Sequence, residues 1–148
     1  MINDMVLRSF CAIDNCRKEI NNPYNHGDYT YATDGWILIR IPKIDKYNKN
    51  PSINMDYFWK SIKLPDIIPD AYWMDIPEIP NGVGKIIKDK IPVLVGYNYL
   101  DAKLLQRIKY LPNVKISTVV TYSEYGPVPF KFEGGDGIIM PLRISKKE

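Results

Sequence analysis

At 148 residues and 17.2 kDa the chain is long enough to bury one ordinary core without disulfide or metal staples. Apolar residues make up 45% and charged residues 25%, and no apolar run approaches the ~20 residues of a membrane span, so a soluble globular protein is expected. A net charge of +3 permits contact with nucleic acid but falls far short of a surface built throughout to neutralise phosphates.

The opening MINDMVLRSF has neither a basic start nor a sustained apolar stretch, so it does not read as a secretion signal, and a cytoplasmic location is expected. Over residues 6–20 the apolar positions Val6, Phe10, Ile13 and Ile20 keep helical spacing, with Cys16 alongside and Ser9 as the expected cap at the start. Cys11 and Cys16 would point to different sides of that helix, and with His26 the one histidine they spell no zinc ligand set. The stretch NNPYNHG ends the helix and leaves His26 in a loop. YTYATDGWILIRIP then predicts an amphipathic hairpin turning at Asp34-Gly35, with Trp36, Leu38 and Arg40 on one side and Ile37, Ile39 and Ile41 on the other.

Residues 42–92 change character. Pro42, Pro51, Pro65, Pro69, Pro77, Pro80 and Pro92 break long helices and central strands, so this stretch reads as an irregular, proline-rich insertion of loops, edge segments and short turns such as MDYFWKSI. Asp66, Asp70, Asp75 and Glu78 lie in turn contexts beside proline, where carboxylates cap local backbone, and they match no calcium loop. NGVGK at 81–85 is too short for a phosphate loop and follows no strand. The aromatics Tyr57, Phe58, Trp59, Tyr72 and Trp73 are either a recognition surface or the small core that pins the insertion.

PVLVGYNYLDAKLLQRIKYLP reads as a short strand and a second helix, with Asn98 as its cap, Asp101 in its first turn and its end before Pro112. Leu100, Leu104 and Ile108, with Leu105 beside them, form the apolar stripe, and Lys103, Arg107 and Tyr110 form a neighbouring one. Lys103, Arg107 and nearby Lys109, or the run Lys85, Lys88 and Lys90, have the chemistry to touch phosphates, although a solvated face is the commoner use of such charges. The first helix is electrostatically mixed, with Arg17 and Lys18 beside Asp14 and Glu19. Three strands follow in VKISTVVTY, PVPFKFE and GIIMPLRI, the last two joined by a Gly134-Gly135-Asp136-Gly137 turn. Residues 1–148 thus read as one domain made of two loose copies of a helix followed by antiparallel strands.

Two motifs in that order carry a family resemblance. YATDGWILIRI resembles the L-x-A-T-D-G-h-x-L hairpin of bacterial sliding clamps, the beta subunit of DNA polymerase III. VPFKFEGGDGIIMPLRI resembles that family's C-terminal end, where a P-(V/I)-x-F strand leads into a terminal M-P-(M/V)-R-L strand, and YNYLDAKLLQRIKYLPNVKIS looks like the helix before it. The likeness spans residues 6–41 and 92–144.

The resemblance implies an α+β, DNA-clamp-like domain in which two helices pack on antiparallel sheet with an internal pseudo-twofold duplication. It implies a non-enzymatic role in DNA replication, without cofactor or metal. Lys103 and Arg107, with Lys18 a weaker candidate, would face double-stranded DNA without sequence preference. Met140, Pro141, Leu142 and Arg143 would wall a cleft for polymerase or clamp-loader peptides, and a flexible, polarizable Met suits such a cleft. A working clamp would be a homo-oligomer, because this chain holds a single domain where a bacterial clamp subunit strings several. A compact version points to a phage, prophage or other mobile element. The terminal strand also runs on into SKKE, which departs from the family pattern. The rival expectation is a clamp-fold decoy that binds a host protein through its aromatic, proline-rich segment without encircling DNA.

Overall fold

A computed structural model describes residues 2–13, 20–49, 67–79, 90–118 and 126–142. Lys18, Arg143, Tyr57, Phe58 and Trp59, together with Cys16, Asp66, Lys85 and Lys88, lie outside the described residues.

The first helix, α1, is Asp4–Arg8. Asn3 caps it: its side-chain oxygen accepts the Val6 N–H at 2.9 Å, and Asp4 in the first turn and Arg8 in the last suit the helix dipole. Ser9, expected at the start, stands at the C-terminal end instead, where its hydroxyl donates back to the Val6 carbonyl. The next two amides close short turns, Phe10 N–H to the Leu7 carbonyl at 3.2 Å and Cys11 N–H to Arg8 at 3.0 Å, so the chain tightens and leaves the helix. The buried side is therefore Leu7, Phe10 and Cys11: of the expected stripe Phe10 is buried, but Val6 is exposed and Ile13, at 99%, entirely so.

A seven-stranded antiparallel sheet follows, in spatial order β1-β2-β3-β9-β8-β7-β4. β1 (Tyr24–His26), β2 (Tyr29–Thr33) and β3 (Ile37–Pro42) form one meander, and His26, read as a loop residue, is the last residue of β1. Asp34 builds the β2–β3 turn as expected, accepting the Trp36 and Ile37 amides at 2.9 and 3.1 Å, while Gly35 takes the positive φ of 95° that a side chain would resist. Ile37, Ile39 and Ile41 face the core. Across the sheet, β7 (Lys115–Ser117), β8 (Val128–Phe132) and β9 (Gly135–Ile139) form a second meander, and β3 and β9 pair antiparallel where the two meet.

The β8–β9 turn is shorter than the glycine cluster suggests. Phe132 pairs with Gly135, so Glu133 and Gly134 alone make the turn, and Gly135 and Gly137 belong to the strand. They are glycines for close approach: a Cβ on Gly137 would run into the Phe130 ring and the Leu38 carbonyl, and one on Gly135 would lie 2.6 Å from the Phe132 ring. The two rings stack with centroids 6.2 Å apart over this bare strip of β9.

In the described part of the proline-rich stretch, a single 3-10 turn, Asp70–Tyr72, leads into the two-residue edge strand β4 (Trp73–Met74), in keeping with the expected short turns and edge segments. The next stretch differs from its sequence reading. Gly96 adopts a φ of 60°, which lets Gly96-Tyr97 reverse the chain, so β5 (Pro92–Val95) is answered by β6 (Asn98–Asp101) in a separate two-stranded sheet. Asn98 is therefore a strand residue. Asp101 is the helix cap, its carboxylate accepting the Lys103 N–H at 3.1 Å at the start of α2 (Ala102–Lys109).

α2 buries Ala102, Leu104, Leu105 and Ile108. These side chains share one core with Leu7 and Phe10 of the first helix, Val93, Val95 and Leu100 of the small sheet, and Ile39, Phe130 and Ile139 of the large one. Each fully buried Leu or Ile contributes about 2 kcal/mol of apolar burial, so this seam fixes both helices on the same face of the large sheet. The fold is α+β, with two α-helices among the described residues.

Candidate functional site

The residues singled out by sequence separate into three places. On α2, Lys103 and Lys109 are exposed with Gln106, and the helix carries no acid between Ala102 and Lys109. Arg107 behaves differently. Its guanidinium pairs with the Asp34 carboxylate, donates to the Ser9 carbonyl at 2.7 Å and lies 5.2 Å from the centre of the Phe10 ring. Lys103 thus reaches solvent, whereas Arg107 ties α2 to the end of α1 and to the β2–β3 turn.

The second place is the strap at residues 140–142. Leaving β9, Met140 donates its N–H to the Trp36 carbonyl at 2.9 Å, and Leu142 donates to the Tyr99 carbonyl at 2.7 Å. Tyr99 and Leu142 form an antiparallel bridge, so the chain crosses from the large sheet and extends the small one beyond β6. Pro141, which has no N–H to satisfy, is the buried residue of the strap, while Met140 and Leu142 are half-buried.

Beside the strap lies a surface the sequence reading missed. In a two-stranded ribbon alternate residues share a face. Val93, Val95 and Leu100 point into the core, and Leu94 and Tyr99, directly opposite each other, point out. Leu94 is 54% exposed, Tyr97 in the turn 79%, Tyr99 41% and Trp36 52%. Lys90 bridges the last of these to the ribbon, its ammonium 4.5 Å from the Trp36 ring centre. Leu94, Tyr99 and Leu142 form an apolar row on the outer face of the ribbon, with exposed Tyr97 in its turn, and exposed Trp36 is tied to the strap by the Met140 amide and to Lys90 through its ring. The available signal was Gly96-Tyr97 as a hairpin turn, masked because Asn98 also reads as a helix cap.

The third place is the described remainder of the aromatic stretch. Trp73 is held down: its indole N–H donates to the Ile68 carbonyl at 3.2 Å, and the Lys131 ammonium lies 4.5 Å over its ring. Tyr72 is exposed on the adjoining turn. Asp75 pairs with Lys115 on the surface. Among the described residues no group of His, Cys, Asp or Glu is placed to hold a metal ion.

Cys11 offers little nucleophilic chemistry, because burial pushes its thiol up to about 11. Thr30 and Asn25 form a buried polar pair, with the Asn25 amide donating to the Ile44 and Tyr47 carbonyls at 2.9 and 2.6 Å. It pins the segment after β3 against β1, and its polar capacity is spent within the chain. Among the described residues no helix is long and apolar enough to cross a membrane.

No family model, no curated protein and no solved structure matches the chain.

Proposed function

We propose that this chain is a non-enzymatic, clamp-like protein of DNA replication that works mainly by holding a partner segment on the face formed by Leu94, Tyr97, Tyr99, Trp36 and the 140–142 strap. The observation that carries the reading is the strap itself. The residues that resemble the terminal clamp strand run beside the exposed Leu94, Tyr97 and Tyr99 of the ribbon. Aromatic side chains, Leu and Met at a partly exposed strand are the composition of an interface core, and a polymerase or clamp-loader peptide with apolar anchors fits that chemistry.

The strand order supports the clamp-like part of the proposal. A helix and three strands (α1, β1, β2, β3) and a second helix and three strands (α2, β7, β8, β9) meet at the β3–β9 pair, an order compatible with a pseudo-twofold duplication, with β4 an unmatched strand at the β7 edge. Lys103 and Lys109 give α2 a basic outer face of modest strength, so DNA contact is proposed as weak and non-specific.

The test is fluorescence anisotropy with a labelled peptide carrying the polymerase motif that bacterial clamps accept. Saturable binding is expected, weakened about tenfold, or about 1.4 kcal/mol, by Leu94→Ser or Tyr97→Ala. Binding unaffected by either substitution overturns the reading. The exposure of Tyr72 favours a second reading, a decoy that binds a host protein through the aromatic stretch. That reading requires a Tyr72→Ala loss of partner capture with no salt-sensitive DNA retention.

A further inference from the structure

Arg107 was, with Lys103, a DNA-facing candidate in the sequence, and its surroundings give it another task. Its two terminal nitrogens are already engaged, one with the Asp34 carboxylate and the other with the Ser9 carbonyl. The same Asp34 side chain holds the turn through its other oxygen, accepting the Trp36 and Ile37 amides. Trp36 in turn accepts the Met140 amide, and two residues on Leu142 locks to Tyr99. An unbroken series of directional bonds therefore runs from helix α2 through the β2–β3 turn to the strap.

We infer that Arg107 is a positioning residue that sets the Trp36 turn and, through it, the strap at 140–142, coupling the basic helix α2 to the partner-facing surface. The inference rests on the proposed function for its biological use, but not for its geometry. A guanidinium suits the task because its rigid fork satisfies a carboxylate and a carbonyl at once, which an ammonium on a flexible stem does not. The partners are well sheltered, with side-chain exposures of 28% for Arg107 and 17% for Asp34, so the pair is screened less than a surface ion pair. Removing the guanidinium takes the Arg107 charge away from the Asp34 carboxylate, and the turn loses the group on α2 that orients its capping side chain. A lysine at 107 keeps the charge and reaches one partner at a time.

The experiment is amide hydrogen exchange on the full chain, comparing the parent with Arg107→Ala, Arg107→Lys, Asp34→Asn and Lys103→Ala, followed by anisotropy with the peptide above. Arg107→Ala is expected to speed exchange at Trp36, Ile37 and Met140 about tenfold, leaving Phe130 in β8 unchanged. Arg107→Lys should restore part of that protection, and Asp34→Asn, which keeps an oxygen for the turn amides, should fall between parent and Arg107→Ala. Lys103→Ala should change none of these amides. Unchanged exchange at Met140 in Arg107→Ala overturns the inference, as does a loosening spread evenly over β8. Faster exchange at Met140 without any peptide binding by the parent leaves the coupling intact and counts against the proposed function alone.

Discussion

Leu142 donates its backbone N–H to the Tyr99 carbonyl at 2.7 Å, and that bond carries the chain from the seven-stranded sheet onto the edge of the two-stranded one. In an antiparallel hairpin closed by two residues, Tyr99 belongs to a pair whose backbone groups point away from the partner strand. Its carbonyl is therefore offered outward, and the strap takes it. The same geometry sets Leu94, Tyr99 and Leu142 in one row across three strands.

The glycine strip on β9 gives the sharpest stability prediction. Gly137→Ala places a methyl group against the Phe130 ring and the Leu38 carbonyl, with backbone on one side that has no room to retreat. A loss of about 3 kcal/mol in urea unfolding is expected. Gly27→Ala meets no atom within 4 Å and pays only for its φ of 59°, about 1 kcal/mol. Equal losses at the two positions would contradict the packing account of β9.

Asp101→Ala removes the acceptor for the Lys103 amide and should cost about 1 kcal/mol, read as a lower melting temperature. The substitution also discriminates between the two readings of where α2 begins. If Asn98 were the cap, Asp101→Ala would leave stability nearly unchanged.

Cys11 adds a pH dependence. Burial raises its thiol from an ordinary value of 9.0 to about 11, so the unfolded chain releases this proton first as pH rises. The contribution is fully present below about pH 9 and is lost as the pH climbs through about 11. Cys11→Ala should flatten that part of the stability profile relative to the parent. In a Cys16→Ser background, alkylation of Cys11 by iodoacetamide at pH 8 should be slow in the native state and fast in urea.

Much of this fold is legible in the residues. The Asp34-Gly35 turn, the isoleucines of β3 and the three C-terminal strands follow from turn chemistry and alternation, because those signals are local. What was not legible depends on competition between two local signals. Asn98 reads as the helix cap with Asp101 inside the first turn, and only the reversal at Gly96 puts Asn98 in a strand and moves the cap to Asp101. Val6 and Ile13 fit a helical stripe, but α1 ends at Arg8, so Leu7 and Phe10 take the core and Ile13 is left outside. The candidate surface follows the same rule: the strap residues were singled out by resemblance alone, while the Leu94–Tyr99 row needed the hairpin to exist first. Arg107 looked like its neighbour Lys103 because spacing along a helix cannot show that Asp34 waits across the fold.

The basic face of α2 has its own expectation. Lys103→Glu with Lys109→Glu should reduce retention of double-stranded DNA at low salt and lower the salt slope by about 2, one unit for each phosphate contact removed. Retention that survives the double reversal would assign DNA contact to another surface.

The most direct measurement is an amide chemical-shift titration of the labelled protein with the polymerase-motif peptide. Saturating shifts confined to Trp36, Leu94, Tyr97, Tyr99, Met140 and Leu142 are expected, with α2 at Lys103 and Gln106 unmoved. Shifts that cluster at Tyr72 and Trp73, or none at all on the ribbon and strap, would contradict the proposal that this surface holds the partner.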